Sequence, residues 1–148
     1  MKSVEEILLE AIQSELDTRR LYKDMASLAP NQETKDVLLS LADRELVHRA
    51  QLERRFKELF DKPAPPMEES SMTIPPGVQR FDAVKALKFA MEHERNSEAQ
   101  YRFLSERATE KDIRNIANEL AEIEWKHRRE IETELENRIG PDKFLFEI

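Results

Sequence analysis

The sequence predicts an all-α fold: a bundle of four long helices, arranged as two hairpins joined by a long crossover. Three observations predict it. Apolar residues recur at three- and four-residue steps in four segments, the rhythm of a helix with one buried face. The 148 residues include only two glycines, too few for the turns of an all-β chain. A stretch rich in proline falls between the second and third segments and separates the chain into two pairs.

The first segment runs from about Ser3 to Leu28, with Val4, Leu8, Ala11, Tyr22 and Met25 on one stripe. Pro30 ends it, because the ring disfavours helical backbone in the residue before it. Asn31 then caps a second segment, from about Gln32 to Phe60, with Leu38, Leu41, Leu52 and Leu59. The third segment runs from about Phe81 to Ala108, with Leu87, Ala90, Tyr101 and Leu104. Thr109 with Asp112 three residues on resembles a capping box for the fourth, from about Lys111 to Ile139. That last segment carries Ala117, Leu120, Ile131 and Leu135, and Gly140-Pro141 closes it. The apolar tail Lys143-Phe144-Leu145-Phe146 is expected to pack on the helices.

Short connections near Pro30 and Thr109 make the first two and the last two helices antiparallel neighbours. The stretch from Asp61 to Arg80 holds five prolines and Gly77. About 20 extended residues reach at most ~70 Å, whereas a helix of about 28 residues is ~42 Å long. The linker can therefore cross the length of a bundle within one chain, or separate two hairpins that swap between chains. The expected organisation is a single domain over 1–148: hairpin 3–60, proline-rich crossover 61–80, hairpin 81–139 and tail 140–148.

Composition excludes several functions. Without cysteine there is no disulfide framework, thiolate zinc site, iron–sulfur cluster or thiol nucleophile in these residues. The net charge of −7 argues against a nucleic-acid partner, which calls for a basic face. No apolar run approaches the ~20 residues of a membrane span. The opening Met1-Lys2-Ser3-Val4-Glu5-Glu6 lacks the apolar core of a signal peptide, so a soluble cytoplasmic protein is expected, with no membrane partner.

An internal repeat carries the functional signal. Ala11-Ile12-Gln13-Ser14-Glu15 matches Ala90-Met91-Glu92-His93-Glu94, and Leu41-Ala42-Asp43-Arg44-Glu45-Leu46-Val47-His48 matches Leu120-Ala121-Glu122-Ile123-Glu124-Trp125-Lys126-His127. One offset of 79 residues relates Glu15 to Glu94, Tyr22 to Tyr101, Glu45 to Glu124 and His48 to His127. The second hairpin repeats the first.

Polar residues persist in this repeat where polarity is costly. Glu15 lies among Leu8, Ala11, Thr18 and Tyr22, and Glu94 among Leu87, Ala90, Ser97 and Tyr101. Glu45 and His48 lie between Leu41 and Leu52, and Glu124 and His127 between Leu120 and Ile131. Four carboxylates and two imidazoles thus face one central layer. Burying unpaired carboxylates costs several kcal/mol, and crowding them raises their pKa values. Two divalent cations would cancel the four charges. A Glu from each of two helices plus Glu-x-x-His from each of the other two is the pattern of di-iron and di-manganese carboxylate proteins. The i, i+3 spacing puts both ligands on one face of a turn. A single Glu-x-x-His on a charged helix is common; two in register, each with its partner glutamate, are not. Iron and manganese suit these ligands, and zinc can also bind them.

Tyr22 and Tyr101 follow Glu15 and Glu94 by two turns, ~10.5 Å along the axis. They are too far to ligate in the same layer. They can hydrogen-bond a bridging carboxylate or simply fill the core. Thr18 and Ser97, one turn after the ligands, either allow close packing or leave room for a small oxidant. His93 reads as a solvated surface residue, and Trp125 as packing.

With these motifs in place, the chain resembles the rubrerythrin branch of the ferritin-like superfamily, over about Val4 to Ile139. The resemblance rests on Ala11 to Glu15 through Tyr22, on Leu41-Ala42-x-x-Glu45-x-x-His48, and on their repeats. It implies that Glu45 and Glu124 bridge two irons, with Glu15 and His48 completing one site and Glu94 and His127 the other. It also implies reduction of hydrogen peroxide, or oxidation of ferrous iron by peroxide or dioxygen. The chain departs from the family pattern twice. It lacks the cysteine-ligated iron domain, so electrons must come from an external donor. Where rubrerythrins carry an extra glutamate one turn after the third-helix ligand, this chain has Ser97. Glu98 stands beside it, about 100° further round the helix.

The reading is a di-iron carboxylate oxidoreductase holding two irons per chain and forming a homodimer, swapped or not. Iron binding or storage is the alternative with the same site, and a metal-free interaction bundle is the alternative without it.

Overall fold

The computed structural model describes residues 2–140 and 143–144 of the chain. They form four α-helices: α1 (Val4–Leu28), α2 (Gln32–Phe60), α3 (Ala83–Arg107) and α4 (Lys111–Ile139). A short 3-10 turn, Val78–Arg80, precedes α3. Among the described residues there is no strand, and no helix is long and apolar enough to cross a membrane. The chain divides into two compact units, Met1–Asp82 and Ala83–Ile148. In the first, α1 packs on α2; in the second, α3 packs on α4.

Local chemistry sets the helix ends. Ser3 caps α1: its hydroxyl accepts from the Glu6 N–H at 3.1 Å, and the Glu6 carboxylate accepts from the Ser3 N–H at 3.4 Å. This is a full capping box. Ala29 before Pro30 is extended, as the proline requires, and ends α1. The Asn31 side chain accepts from the Thr34 N–H at 2.9 Å and caps α2. Asp61 closes α2 in the left-handed region at φ 53°, and Gly140 follows α4 at φ 86°. Pro141, Leu145 and Phe146 lie outside the described residues, whereas Phe144 is buried.

Two boundaries differ from expectation. α3 starts at Ala83 rather than Phe81, because Val78–Arg80 turns in 3-10 geometry and leaves Phe81 extended and buried. The Thr109–Asp112 capping box does not form. Glu110 takes the cap position without a side-chain bond. Asp112 is then one residue short of the reciprocal position, and its carboxylate accepts from the adjacent Ile113 N–H at 2.9 Å.

The stripe Leu8, Ala11, Thr18, Tyr22 and Met25 is buried on α1, as are Leu38, Leu41, Leu52 and Phe56 on α2. Leu59, expected on that stripe, is exposed in the last turn. On α4, Ala117, Leu120, Ile131 and Leu135 are buried. Each large aliphatic side chain so buried contributes about 1.5–3 kcal/mol. α3 is buried through Leu87, Ala90 and Met91, but Tyr101 and Leu104 are only half-buried.

The proline-rich crossover belongs to the first unit and lies along α1. Lys62 pairs with Glu5 at 3.0 Å, Gln13 donates to the Glu68 carbonyl at 2.7 Å, and the Ser70 N–H donates to Asp17 at 2.8 Å. Arg19 pairs with Glu69 at 3.0 Å. Further on, the Phe81 carbonyl accepts from the Thr34 hydroxyl at 3.3 Å, near the start of α2. The crossover therefore traverses its own hairpin from one end to the other, as its length allows.

Candidate metal centre

In the first unit, helical periodicity brings Glu15 from α1 against Glu45 and His48 from α2. All three are buried. His48 Nδ1 lies 3.7 Å from Glu15 Oε2 and 3.6 Å from Glu45 Oε2. The second unit repeats this arrangement. His127 Nδ1 lies 3.9 Å from Glu94 Oε2 and 3.8 Å from Glu124 Oε2, again with all three residues buried. One ligand atom from each of Glu94, Glu124 and His127 lies within 4.8 Å of the others.

These separations are informative. They exceed the length of a hydrogen bond. A cation about 2.1 Å from each donor can hold two donors no more than ~4.2 Å apart, and all four distances satisfy that limit. Glu45 Oε2 is buried and accepts no hydrogen bond from a described residue. A buried carboxylate oxygen left so costs free energy unless a positive charge reaches it. Oxygen-rich sets with one imidazole each suit iron, manganese or zinc. The residues present therefore fit a metal, set by set.

The next turn of the second unit is a buried ionic network. Glu98 accepts from Arg102 Nε at 2.8 Å, and from Arg128 Nε at 3.1 Å and Nη2 at 2.9 Å. Arg128 Nη1 donates to Glu132 Oε1 at 2.5 Å, and Arg129 Nη1 to Glu132 Oε2 at 2.6 Å. Burial pushes the Glu98 carboxyl up, but the hydrogen bonds from Arg102 and Arg128 outweigh it and hold the group below the usual carboxylate range. Burial would likewise lower Arg128, yet Glu98 and Glu132 raise it. Glu98 is thus committed to two guanidinium groups. The sequence signal for this network is the i, i+4 pairs Glu98–Arg102 and Arg128–Glu132.

The remaining candidates divide. Thr18 and Tyr22 are buried, while Ser97 and Tyr101 are half-buried. The Ser97 hydroxyl donates to the His93 carbonyl at 3.3 Å, one turn back. His93 is not the solvated residue expected: it is half-buried and stacks on Phe89, with ring centres 6.3 Å apart. Trp125, expected to pack, is 39% exposed, because it follows Glu124 by one residue and turns away from the buried face.

Long paired helices with Glu–Glu–His sets buried in each pair define the class of helical carboxylate proteins. Comparison with known sequences narrows the class: the sequence model of the rubrerythrin family matches residues 6–135, and the chain belongs to that family. Two solved structures share the fold. An uncharacterized conserved protein from Magnetospirillum magnetotacticum MS-1 is 18% identical, with 92% of this chain and 95% of that one covered at a TM-score of 0.62. A hypothetical protein from Pyrococcus furiosus is 25% identical, with 90% and 89% covered at a TM-score of 0.54. No curated protein matches the chain. The fold is the ferritin-like four-helix bundle expected from the sequence.

Proposed function

We propose that the chain is a di-iron carboxylate oxidoreductase. Glu15, Glu45 and His48 of one unit and Glu94, Glu124 and His127 of the other would hold the metal. The observation that carries this reading is the Glu45 carboxylate, buried beside a histidine nitrogen at 3.6 Å with an oxygen that accepts no hydrogen bond from a described residue. When bound, two ferrous ions supply the two electrons that convert hydrogen peroxide, with two protons, to two waters, or that pass to dioxygen.

The chain's own residues do the rest. The four carboxylates cancel the charge of two divalent ions and favour the oxidised state by their hard oxygen donors. The two imidazoles share those charged sets without adding charge. Leu41, Leu120 and Ala90, all buried, help keep bulk water out of the layer. With no cysteine in these residues, the reducing equivalents come from an external donor. A cytoplasmic homodimer is the assembly in this reading.

The test is a comparison of oxidants. The ferrous-loaded protein is mixed with peroxide and, separately, with dioxygen, and ferric absorbance is followed. Fast, stoichiometric oxidation by either supports the reading, and the faster oxidant names the reaction. Oxidation no faster than that of free ferrous ion contradicts it.

A further inference from the structure

The first unit contains a pocket of about 310 Å³ between α1, α2 and the crossover. Its apolar wall is Ile12, Leu16, Pro65, Pro66 and Met67. Its polar wall is Arg49 and Glu53. That volume is at the small end of ligand sites, and an apolar body with few polar groups is their usual composition. The crossover is held against α1 immediately after the wall residues Pro65, Pro66 and Met67. Gln13 binds the Glu68 carbonyl, Asp17 the Ser70 N–H and Arg19 the Glu69 carboxylate. The wall is therefore largely built before any ligand arrives.

The repeat shows what the pocket lacks. Arg49 corresponds to Arg128, and Glu53 to Glu132. Arg128 holds two carboxylates at once, Glu132 from its own helix and Glu98 from the helix opposite. The position corresponding to Glu98 in the first hairpin is Arg19. A carboxylate has become a guanidinium, and Arg19 turns to Glu69 instead. Among the described residues Arg49 keeps one carboxylate within 4 Å, Glu53, at 3.2 Å from Nε. Its guanidinium makes no hydrogen bond to a described residue, and Nε is buried. Glu53 lies beside Nε, so the Nη edge of a group built for paired donation has no carboxylate, at the rim of an apolar pocket.

We propose that this pocket binds a small aliphatic monocarboxylate, with the acid taken by Arg49 in the place that Glu98 fills in the second hairpin, and the chain lying against Ile12, Leu16 and Met67. A monoanion is favoured over phosphate. Arg49 already shares its charge with Glu53, and a dianion would bring a second negative charge up against that carboxylate. The proposal stands independently of the metal reading, since none of these residues is among the six ligands.

The test is titration of the full-length chain with hexanoate, hexan-1-ol, acetate and inorganic phosphate. It is read by the methyl signals of Ile12 and Met67 in NMR spectra and by calorimetry. The methyl readout separates the pocket from a carboxylate bound elsewhere. Hexanoate should saturate those signals, with hexan-1-ol at least about tenfold weaker, the factor that one charge-assisted bidentate contact supplies, and with acetate and phosphate at least about tenfold weaker for want of the apolar chain. Arg49→Met should lose about tenfold. Arg19→Glu, which restores the carboxylate of the second hairpin and fills the fork from within, should lose as much while leaving Arg49 in place. Hexan-1-ol binding as well as hexanoate, hexanoate binding unchanged in Arg19→Glu, or no saturable shift at Ile12 and Met67 would each overturn the proposal.

Discussion

The two hairpins keep the same Glu, Glu and His at one offset and hold them at nearly the same separations, 3.6–3.7 Å in the first and 3.8–3.9 Å in the second. One turn further on they diverge. The second hairpin fills that turn with a network in which Glu132 is only 5% exposed at its side chain. The first has Arg19 in place of Glu98, its Glu53 side chain is 41% exposed, and Pro65, Pro66 and Met67 of the crossover wall a pocket beside Arg49 and Glu53. Both copies retain the buried Glu, Glu and His and also the arginine and glutamate that follow (Arg49 and Glu53, Arg128 and Glu132), but differ in what meets that arginine from the opposite helix.

The largest expected effect tests that shared layer. Glu45→Ala or His48→Ala in the first hairpin, and Glu124→Ala or His127→Ala in the second, should each reduce bound iron from two per chain to one or none, measured by metal analysis after desalting. Each should also reduce metal-linked stabilisation, which for one ion amounts to about 4 kcal/mol at a thousandfold excess of free metal over the dissociation constant. Loss from one hairpin's variants alone would show that the layers are not equivalent.

The second effect separates the turns beyond. Arg128→Met leaves Glu98 and Glu132 short of a partner in a buried setting and should cost about 3 kcal/mol in urea unfolding. Arg49→Met breaks a half-exposed pair and should cost less than about 1 kcal/mol. Equal losses would erase the distinction between the hairpins.

The third effect is pH dependence. The folded Glu98 carboxyl is held below its ordinary value of 4.5. Its stabilisation is therefore complete above about pH 4.5 and lost as the pH falls through the folded-state value. Glu98→Gln should flatten the acid limb of a stability–pH curve, since the group whose protonation is resisted in the folded state is then gone.

The smallest effect concerns the caps. Ser3→Ala removes a complete capping box and should cost about 1 kcal/mol. Glu110→Ser supplies α4 with the side-chain acceptor it lacks and should gain up to about 1 kcal/mol. Thermal unfolding of both variants reads the pair.

Much of this was legible in the sequence. The four helices follow from apolar periodicity and from Pro30, Asn31 and Gly140, whose effects are local. The six buried Glu and His residues stood out because glutamate and histidine on an apolar stripe carry a cost that chance does not repeat at a fixed offset. Most of what the sequence leaves open is set by contacts between segments, and the α4 cap by a one-residue choice. The Thr109–Asp112 box depended on a one-residue choice of cap that Glu110 won. The burial of Glu98 and Glu132 depends on Arg128 meeting both, which no single helix reveals. The stacking of His93 on Phe89 turns a surface position into a half-buried one. The pocket depends on the path of a proline-rich segment, set by bonds to Gln13, Asp17 and Arg19 that no periodicity announces.

The central claim is that the retained layer holds two irons, and the direct measurement is iron retained per chain. Metal-free protein is given excess ferrous iron in air, desalted and analysed. Retention near two per chain is the result expected. Retention far above two would replace the enzyme reading with storage. Retention near zero, with manganese and zinc also lost on desalting, would contradict the account: the six residues would then be a buried polar layer and not a metal site.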